Sequence, residues 1–196
     1  MKPRHVLVAA AGAAAVFAVA RGLVWPGVRL RIGKTIFPGG APPLRGKLPG
    51  SPFVWCEVGA DGRVHFYPPR AELGQGAHTL LAQLLAEELE VDPDAVTVHP
   101  PDTSRGFDAK TMTVVGSSSV YALQEPVREA AATVREMLRA EAAAMLGCPA
   151  ENVVARNGGL YIRGGANNSL TYGQVAAARR ASWKTPNKPP ALKRLV

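Results

Sequence analysis

Phe53-Val54-Trp55-Cys56-Glu57-Val58 and Arg63-Val64-His65-Phe66-Tyr67 stand on either side of Asp61-Gly62. Both runs are rich in β-branched and aromatic residues, and Asp-Gly is a strong turn pair, so they predict a β-hairpin. Pro68-Pro69 end the second strand. After Arg70-Ala71-Glu72-Leu73-Gly74-Gln75-Gly76-Ala77-His78-Thr79 come Leu80, Leu81, Leu84, Leu85 and Leu89, which predict an amphipathic helix with these leucines on one side. Asp92-Pro93 break it, and Val96-Thr97-Val98-His99 reads as a strand.

Further along, residues 100–110 read as a polar loop, and Thr111-Met112-Thr113-Val114-Val115 leads to Gly116-Ser117-Ser118-Ser119. Val120, Leu123, Val127, Ala131, Val134, Leu138, Ala142 and Met145 then recur at spacings of three and four, predicting a second helix. Pro126 either kinks it or marks its true first turn. Residues 152–156 and 160–163 predict a second hairpin around Asn157-Gly158-Gly159, and residues 171–181 a short helix. This order predicts an α/β (α+β) fold, one domain over residues 53–182 with helices packed on a mixed sheet. No internal repeat is visible.

The ends differ from this middle. Of a net charge of +8, residues 51–160 contribute all fifteen acids and eight Lys/Arg, whereas residues 1–50 carry eight Lys/Arg and residues 161–196 seven, with no acid in either. The basic character therefore sits in the ends, which weakens a nucleic-acid reading, and no basic–aromatic interleaving supports one. Residues 1–25 form an apolar segment behind Lys2, Arg4 and His5. It reads either as a signal peptide cleaved after Ala18-Val19-Ala20 or as a membrane anchor of about 20 residues that counts Arg21 within its span. An N-terminal apolar helix is expected on both readings, placing the chain in the inner membrane facing the periplasm, or in the periplasm after cleavage. Residues 26–52 are a Pro/Gly-rich linker and residues 183–196 a basic Pro/Lys tail, and the stretch from Arg179 to Arg194 reads as a solvated face. Two cysteines, Cys56 and Cys148, exclude a disulfide scaffold, a zinc finger and a four-cysteine iron–sulfur cluster. Cys56 reads as a buried small hydrophobe, and His65 and His99 as structural strand residues.

Two segments can carry chemistry. Gly74-Gln75-Gly76 and Gly116-Ser117-Ser118-Ser119 each precede a helix. Each offers glycine for close backbone approach, side chains that hydrogen-bond, and a helix N-terminus whose free N–H groups favour anions. The first lacks the third glycine of a dinucleotide-binding fingerprint and the GK[ST] of a P-loop. Glu72 reads as a general base, or as a residue that fixes the loop or faces solvent, and His78 as a phosphate donor, or as a surface or packing residue. The serine run lacks a G-x-S-x-G context, which excludes a serine hydrolase of that type.

The segment from Arg70 to Thr79 resembles the E-M-G-Q-G-x-x-T cofactor segment of the xanthine dehydrogenase/aldehyde oxidase family, and Ala86-Glu87-Glu88-Leu89 follows as in that family. Thr113-Val114-Val115-Gly116-Ser117-Ser118-Ser119 is similar to its second cofactor segment, and Asn157-Gly158-Gly159 with Leu170-Thr171-Tyr172-Gly173 to a stretch further on. The subgroup resembled is the N-terminal part of isoquinoline 1-oxidoreductase beta-subunit-like proteins. The resemblance implies a molybdenum–pterin cytosine dinucleotide shared with a partner chain, in a molybdenum hydroxylase that acts on aldehydes or N-heterocycles. It implies cofactor-binding roles for Gly74, Gln75, Gly76, His78, Thr79, Gly116, Ser117, Ser118 and Ser119. It further implies a companion chain with [2Fe–2S] clusters and, as acceptor, a cytochrome c or another electron carrier; the N-terminal segment adds an expected membrane association, and the charge distribution an expected absence of nucleic acid.

Large subunits of that family run much longer, and the segment bearing their catalytic glutamate has no counterpart here. No catalytic residue is assigned and none is a metal ligand. The chain is expected to need the remaining large-subunit domains from another chain and not to turn over alone. The alternative is a membrane-tethered, non-catalytic interaction or scaffold protein, or a truncated remnant of the family.

Overall fold

The computed structural model of the chain describes residues 51–165, 169–178, 186 and 190–194. The apolar segment expected over residues 1–25 lies outside the described residues, as do residues 26–50 of the linker and most of the tail. Among the described residues, no helix is long and apolar enough to cross a membrane.

Strands β1 (Cys56–Val58) and β2 (Val64–Phe66) pair antiparallel, with Val58 opposite Val64. Their turn closes by Gly62 N donating to Gly59 O at 3.0 Å and Gly59 N to Arg63 O at 2.8 Å. Gly62 is left-handed there (φ 83°), as such a bulged turn requires. After helix α1 (Ala77–Leu89), β3 (Val96–Val98) pairs parallel to β2, giving the sheet order β1-β2-β3. Helix α1 buries Leu81, Leu85 and Leu89 at four-residue spacing. Leu84 is half-buried, and Leu80, expected on the same face, is 42% exposed in the first turn.

The expected loop of residues 100–110 contains a turn of 3₁₀ helix and leads into α2 (Ala109–Met112). Asp108 nucleates α2 by accepting from Thr111 N at 2.7 Å. Helix α3 (Ser119–Leu146) follows, burying Leu123, Val127, Ala131, Val134, Leu138 and Ala142. Its two outermost predicted positions are less covered, with Val120 half-buried and Met145 42% exposed. Pro126 lies inside α3, past the first turn, so it does not mark the helix start.

Strands β4 (Val153–Arg156) and β5 (Gly159–Ile162) form the predicted second hairpin. Asn157 and Gly158 are both left-handed (φ 49° and 69°), the pattern of a two-residue hairpin turn. A third strand, β6 (Ser169–Thr171), pairs with β5 and has no counterpart among the predicted elements. Helix α4 is Tyr172–Ala177, opened by a capping box between Thr171 and Gln174.

The expectation of one mixed sheet is corrected. Among the described residues there are two three-stranded sheets, one mixed (β1-β2-β3) and one antiparallel (β4-β5-β6). The second is fastened to the end of α1, not to an edge of the first. Gly158 N donates to Glu90 O at 2.7 Å, and Tyr172 OH to Leu89 O at 2.5 Å. A single core joins Trp55, Phe66, Leu85, Val127, Leu138, Val153, Leu160 and Tyr172.

The reading of the tail as a solvated face is also corrected at Lys193. Its backbone N donates to both oxygens of Glu88, a carboxylate that is wholly buried and paired with Arg128 and Arg135. Its ammonium meets Glu87 and Glu90 at 2.9 and 2.8 Å. Cations favour a helix C-terminus, and the acidic cluster at the end of α1 adds to that preference.

Candidate functional site

The predicted site residues fall into two short segments, the β2–α1 loop and the turn before α3. Helices α1 and α3 pack side by side and run in the same direction. Arg70, just ahead of α1, meets Ser118 at the start of α3, while Glu88 near the end of α1 meets Arg128 and Arg135 further along α3. Both helix N-termini, with their positive dipole ends, therefore open at the same end of this helix pair.

The first segment is built around Glu72. Its Oε1 accepts from Gly74 N (2.8 Å) and Gly76 N (3.0 Å), and its Oε2 from His78 N (3.0 Å). Chiefly the bond from His78 N, with those from Gly76 and Gly74, holds this carboxyl below its ordinary range. Glu72 thus fixes the loop, one of the readings expected of it, and occupies the amide nest at the start of α1. Gly74 and Gly76 are left-handed (φ 91° and 72°), which explains why glycine stands at both. A side-chain carbon at either would meet nothing within 4 Å, so the loop is open outward. Gln75 folds back, its Oε1 accepting from Leu73 N (2.5 Å) and its Nε2 donating to Ala71 O (3.2 Å). That leaves its amide one N–H and one lone pair. His78 Nε2 donates to Arg70 O (2.6 Å), and Thr79 is exposed in the first turn of α1.

In the second segment, Gly116 and Ser117 are both left-handed (φ 65° and 50°) and exposed. Ser118 is turned inward. Its hydroxyl donates to Val115 O (2.7 Å) and accepts from Arg70 Nη1 (2.8 Å). Ser119 is buried as the first residue of α3.

Arg70 belongs to the first segment but carries no role on sequence grounds. It is 2% exposed, and its Nε donates to Thr111 O at 2.8 Å. It therefore joins both predicted segments. Thr111, alongside, has a fully buried hydroxyl with no hydrogen-bond partner. The signal in the sequence is an arginine directly after a Pro-Pro strand end.

The remaining candidates lie elsewhere. His65 Nδ1 and His99 Nε2 are hydrogen-bonded at 2.9 Å on the outer face of the first sheet, with His99 stacked on Tyr67. Cys56 is buried, and burial pushes its thiol up to about 12. Among the described residues, no group of three or more His, Cys, Asp or Glu could hold a metal ion. A cavity of about 190 Å³ is lined by Phe53, Glu57, Val58, Val134, Met137, Leu138 and Ala176, none of them a predicted site residue.

Residues 26–191 match the family model described as the molybdopterin cofactor-binding domain. The chain belongs to this family. Among curated relatives of this molybdopterin cofactor-binding domain protein, the beta chain of isoquinoline 1-oxidoreductase from Brevundimonas diminuta is 35% identical over 148 residues, covering 70% of this chain and 18% of that protein. Membrane-bound aldehyde dehydrogenase [pyrroloquinoline-quinone] of Gluconacetobacter polyoxogenes is 31% identical over 163 residues, covering 79% and 21%. A nicotinate dehydrogenase chain of Pseudomonas putida is 33% identical over 117 residues, covering 60% and 10%. The chain thus spans about a fifth or less of the length of these relatives. Among solved structures, quinoline 2-oxidoreductase from Pseudomonas putida 86 aligns with a TM-score of 0.44 at 25% identity, over 63% of this chain and 15% of that one. The family match and the curated relatives bear out the resemblance read from the two loops.

Proposed function

We propose that the chain supplies the cofactor-binding loops of a molybdenum-dependent oxidoreductase that hydroxylates aldehydes or N-heterocycles. The observation that carries this reading is the convergence of the two glycine-bearing segments at one end of two parallel helices. In a chain of the molybdopterin cofactor-binding domain family, that end is where a phosphate-bearing group finds donors.

The residues fit such a group. The amides of Gly74 and Gly76 hold one carboxylate oxygen of Glu72 and that of His78 the other, so this backbone suits an anion, and a phosphate or an acidic pterin edge would take these amides by displacing Glu72. Gly74, Gly76 and Gly116 leave room outward for close approach. Gln75, with half its amide free, Thr79 and Ser117 would offer polar contacts. His78, Ser118 and Ser119 would shape the two turns from within. When bound, a molybdenum–pterin cytosine dinucleotide would supply the redox centre and transfer oxygen from water. The chain's own residues would bind and orient it. The catalytic base would come from the remaining large-subunit domains on a partner chain. A [2Fe–2S] protein and a cytochrome c would receive the electrons, and the N-terminal segment would export the assembly or anchor it to the membrane.

One observation favours a second reading, a non-catalytic scaffold or family remnant. Glu72 satisfies the amides of the first loop without any cofactor. The two readings separate on co-expression with candidate oxidoreductase partner chains in a host that makes the molybdenum cofactor. The first predicts pterin and molybdenum in the purified complex. It also predicts that Gly76→Ala, which forces a side chain into a left-handed position on the loop, lowers that content by roughly tenfold, about 1.4 kcal/mol of binding. Absence of both from the wild type would sink it. Quinone without pterin would instead favour the cofactor in the name of the Gluconacetobacter relative.

A further inference from the structure

Burying a guanidinium is costly unless its donors find acceptors. Arg70, at 2% exposure, meets that condition by reaching across the chain. Its Nε donates to Thr111 O and its Nη1 to Ser118 Oγ, both at 2.8 Å, 41 and 48 residues away. Its own carbonyl accepts from His78 Nε2 at 2.6 Å. One residue therefore touches the first turn of α1, the end of α2 and the N-cap of α3. Ser118 Oγ passes the constraint on, because it also donates to Val115 O at 2.7 Å. That bond closes the turn over Gly116 and Ser117, whose left-handed backbones need support from outside, Ser117 above all because it is not glycine.

We propose that Arg70 is the positioning residue that sets the spacing between the two cofactor segments. Its purpose rests on the functional reading above. Two donors on different nitrogens of a rigid planar fork fix a distance and an angle together. A lysine at this position has one ammonium on a flexible stem and cannot do so.

The experiment uses the full chain as wild type, Arg70→Lys and Ser118→Ala. Ser118→Ala removes one arm without placing a new charge in the core, so it decides the matter if Arg70→Lys fails to fold. Amide hydrogen exchange is followed at residues 115–119 and, for comparison, in the β4–β5 hairpin. Molybdopterin and molybdenum are measured after expression in a cofactor-making host. In both variants, exchange at residues 115–119 should rise by roughly tenfold, as expected for one lost hydrogen bond, while the hairpin stays unchanged. Pterin content should fall with it, and Arg70→Lys should not restore either property. A purely structural arginine would instead loosen the hairpin and the turn alike. Unchanged exchange at residues 115–119 in Ser118→Ala would overturn the proposal. So would full pterin content in variants whose turn has loosened. If the turn loosens but the wild type holds no pterin, the spacing role is supported and the functional reading fails.

Discussion

Glu72 accepts three backbone N–H bonds and carries a carboxyl held below its ordinary range, mainly by the bond from His78 N. A carboxyl depressed in the folded state adds stability that is present above its unfolded value of about 4.3 and is lost as the pH falls through the lower folded value. The unfolding midpoint of the wild type should therefore decline below about pH 4.3, while Glu72→Gln should start lower at neutral pH and decline less over the same window. Parallel pH profiles for the two proteins would show that the carboxylate does not hold the loop. At this scale the sequence was legible where partners are near. Glu72 lies two, four and six residues from the amides it binds. Arg70 was not legible, because its partners are 41 and 48 residues away and only the folded chain brings them to it. Ser118 reads as a candidate ligand from its place in a serine run, and only the structure shows its hydroxyl shared between Val115 O and Arg70.

Elements with a strong period or a specific turn pair were readable from the sequence. Six of the eight apolar positions expected of the second helix are buried in α3, and Asn157-Gly158 forms the two-residue turn of the second hairpin. Short elements set by tertiary contact were not readable. Helix α2 has four residues and depends on the Asp108 cap, and β6 has three residues and exists because β5 presents an edge. Gly173, in the first turn of α4, shows how tightly such contacts can fit. A side-chain carbon there would lie 2.5 Å from Ala60 O and 2.8 Å from Gly62 N in the first hairpin turn. Both obstacles are backbone and cannot swing aside. Gly173→Ala should therefore cost about 1–3 kcal/mol of stability, at the scale of an overpacked core. The measurement is denaturant unfolding with the slope compared to wild type. A loss below about 0.5 kcal/mol, the range of ordinary surface changes, would mean that α4 does not bear on the hairpin in this way.

Across the whole molecule, the segregation of charge anticipated a slightly acidic folded middle, but not the use made of it. Lys193 from the basic end closes over Glu87, Glu88 and Glu90 at the C-terminal end of α1, while the cofactor segments open at the other end of the same helix. A helix of 13 residues separates the two by about 20 Å. At the open end, Leu73 is 75% exposed, Val115 47% and Tyr121 64%, more apolar surface than a closed loop cluster would show. On the functional reading, this rim faces the domains that the longer relatives carry in one chain. The proposed role is to hold a molybdenum–pterin cofactor together with a partner chain. The most direct test is affinity purification of the full chain from its native cells, with molybdenum, pterin and co-purifying proteins measured on the same sample. Molybdenum and pterin should appear in equal amounts, accompanied by a larger oxidoreductase chain. A stable chain that carries neither, and no such partner, would contradict it.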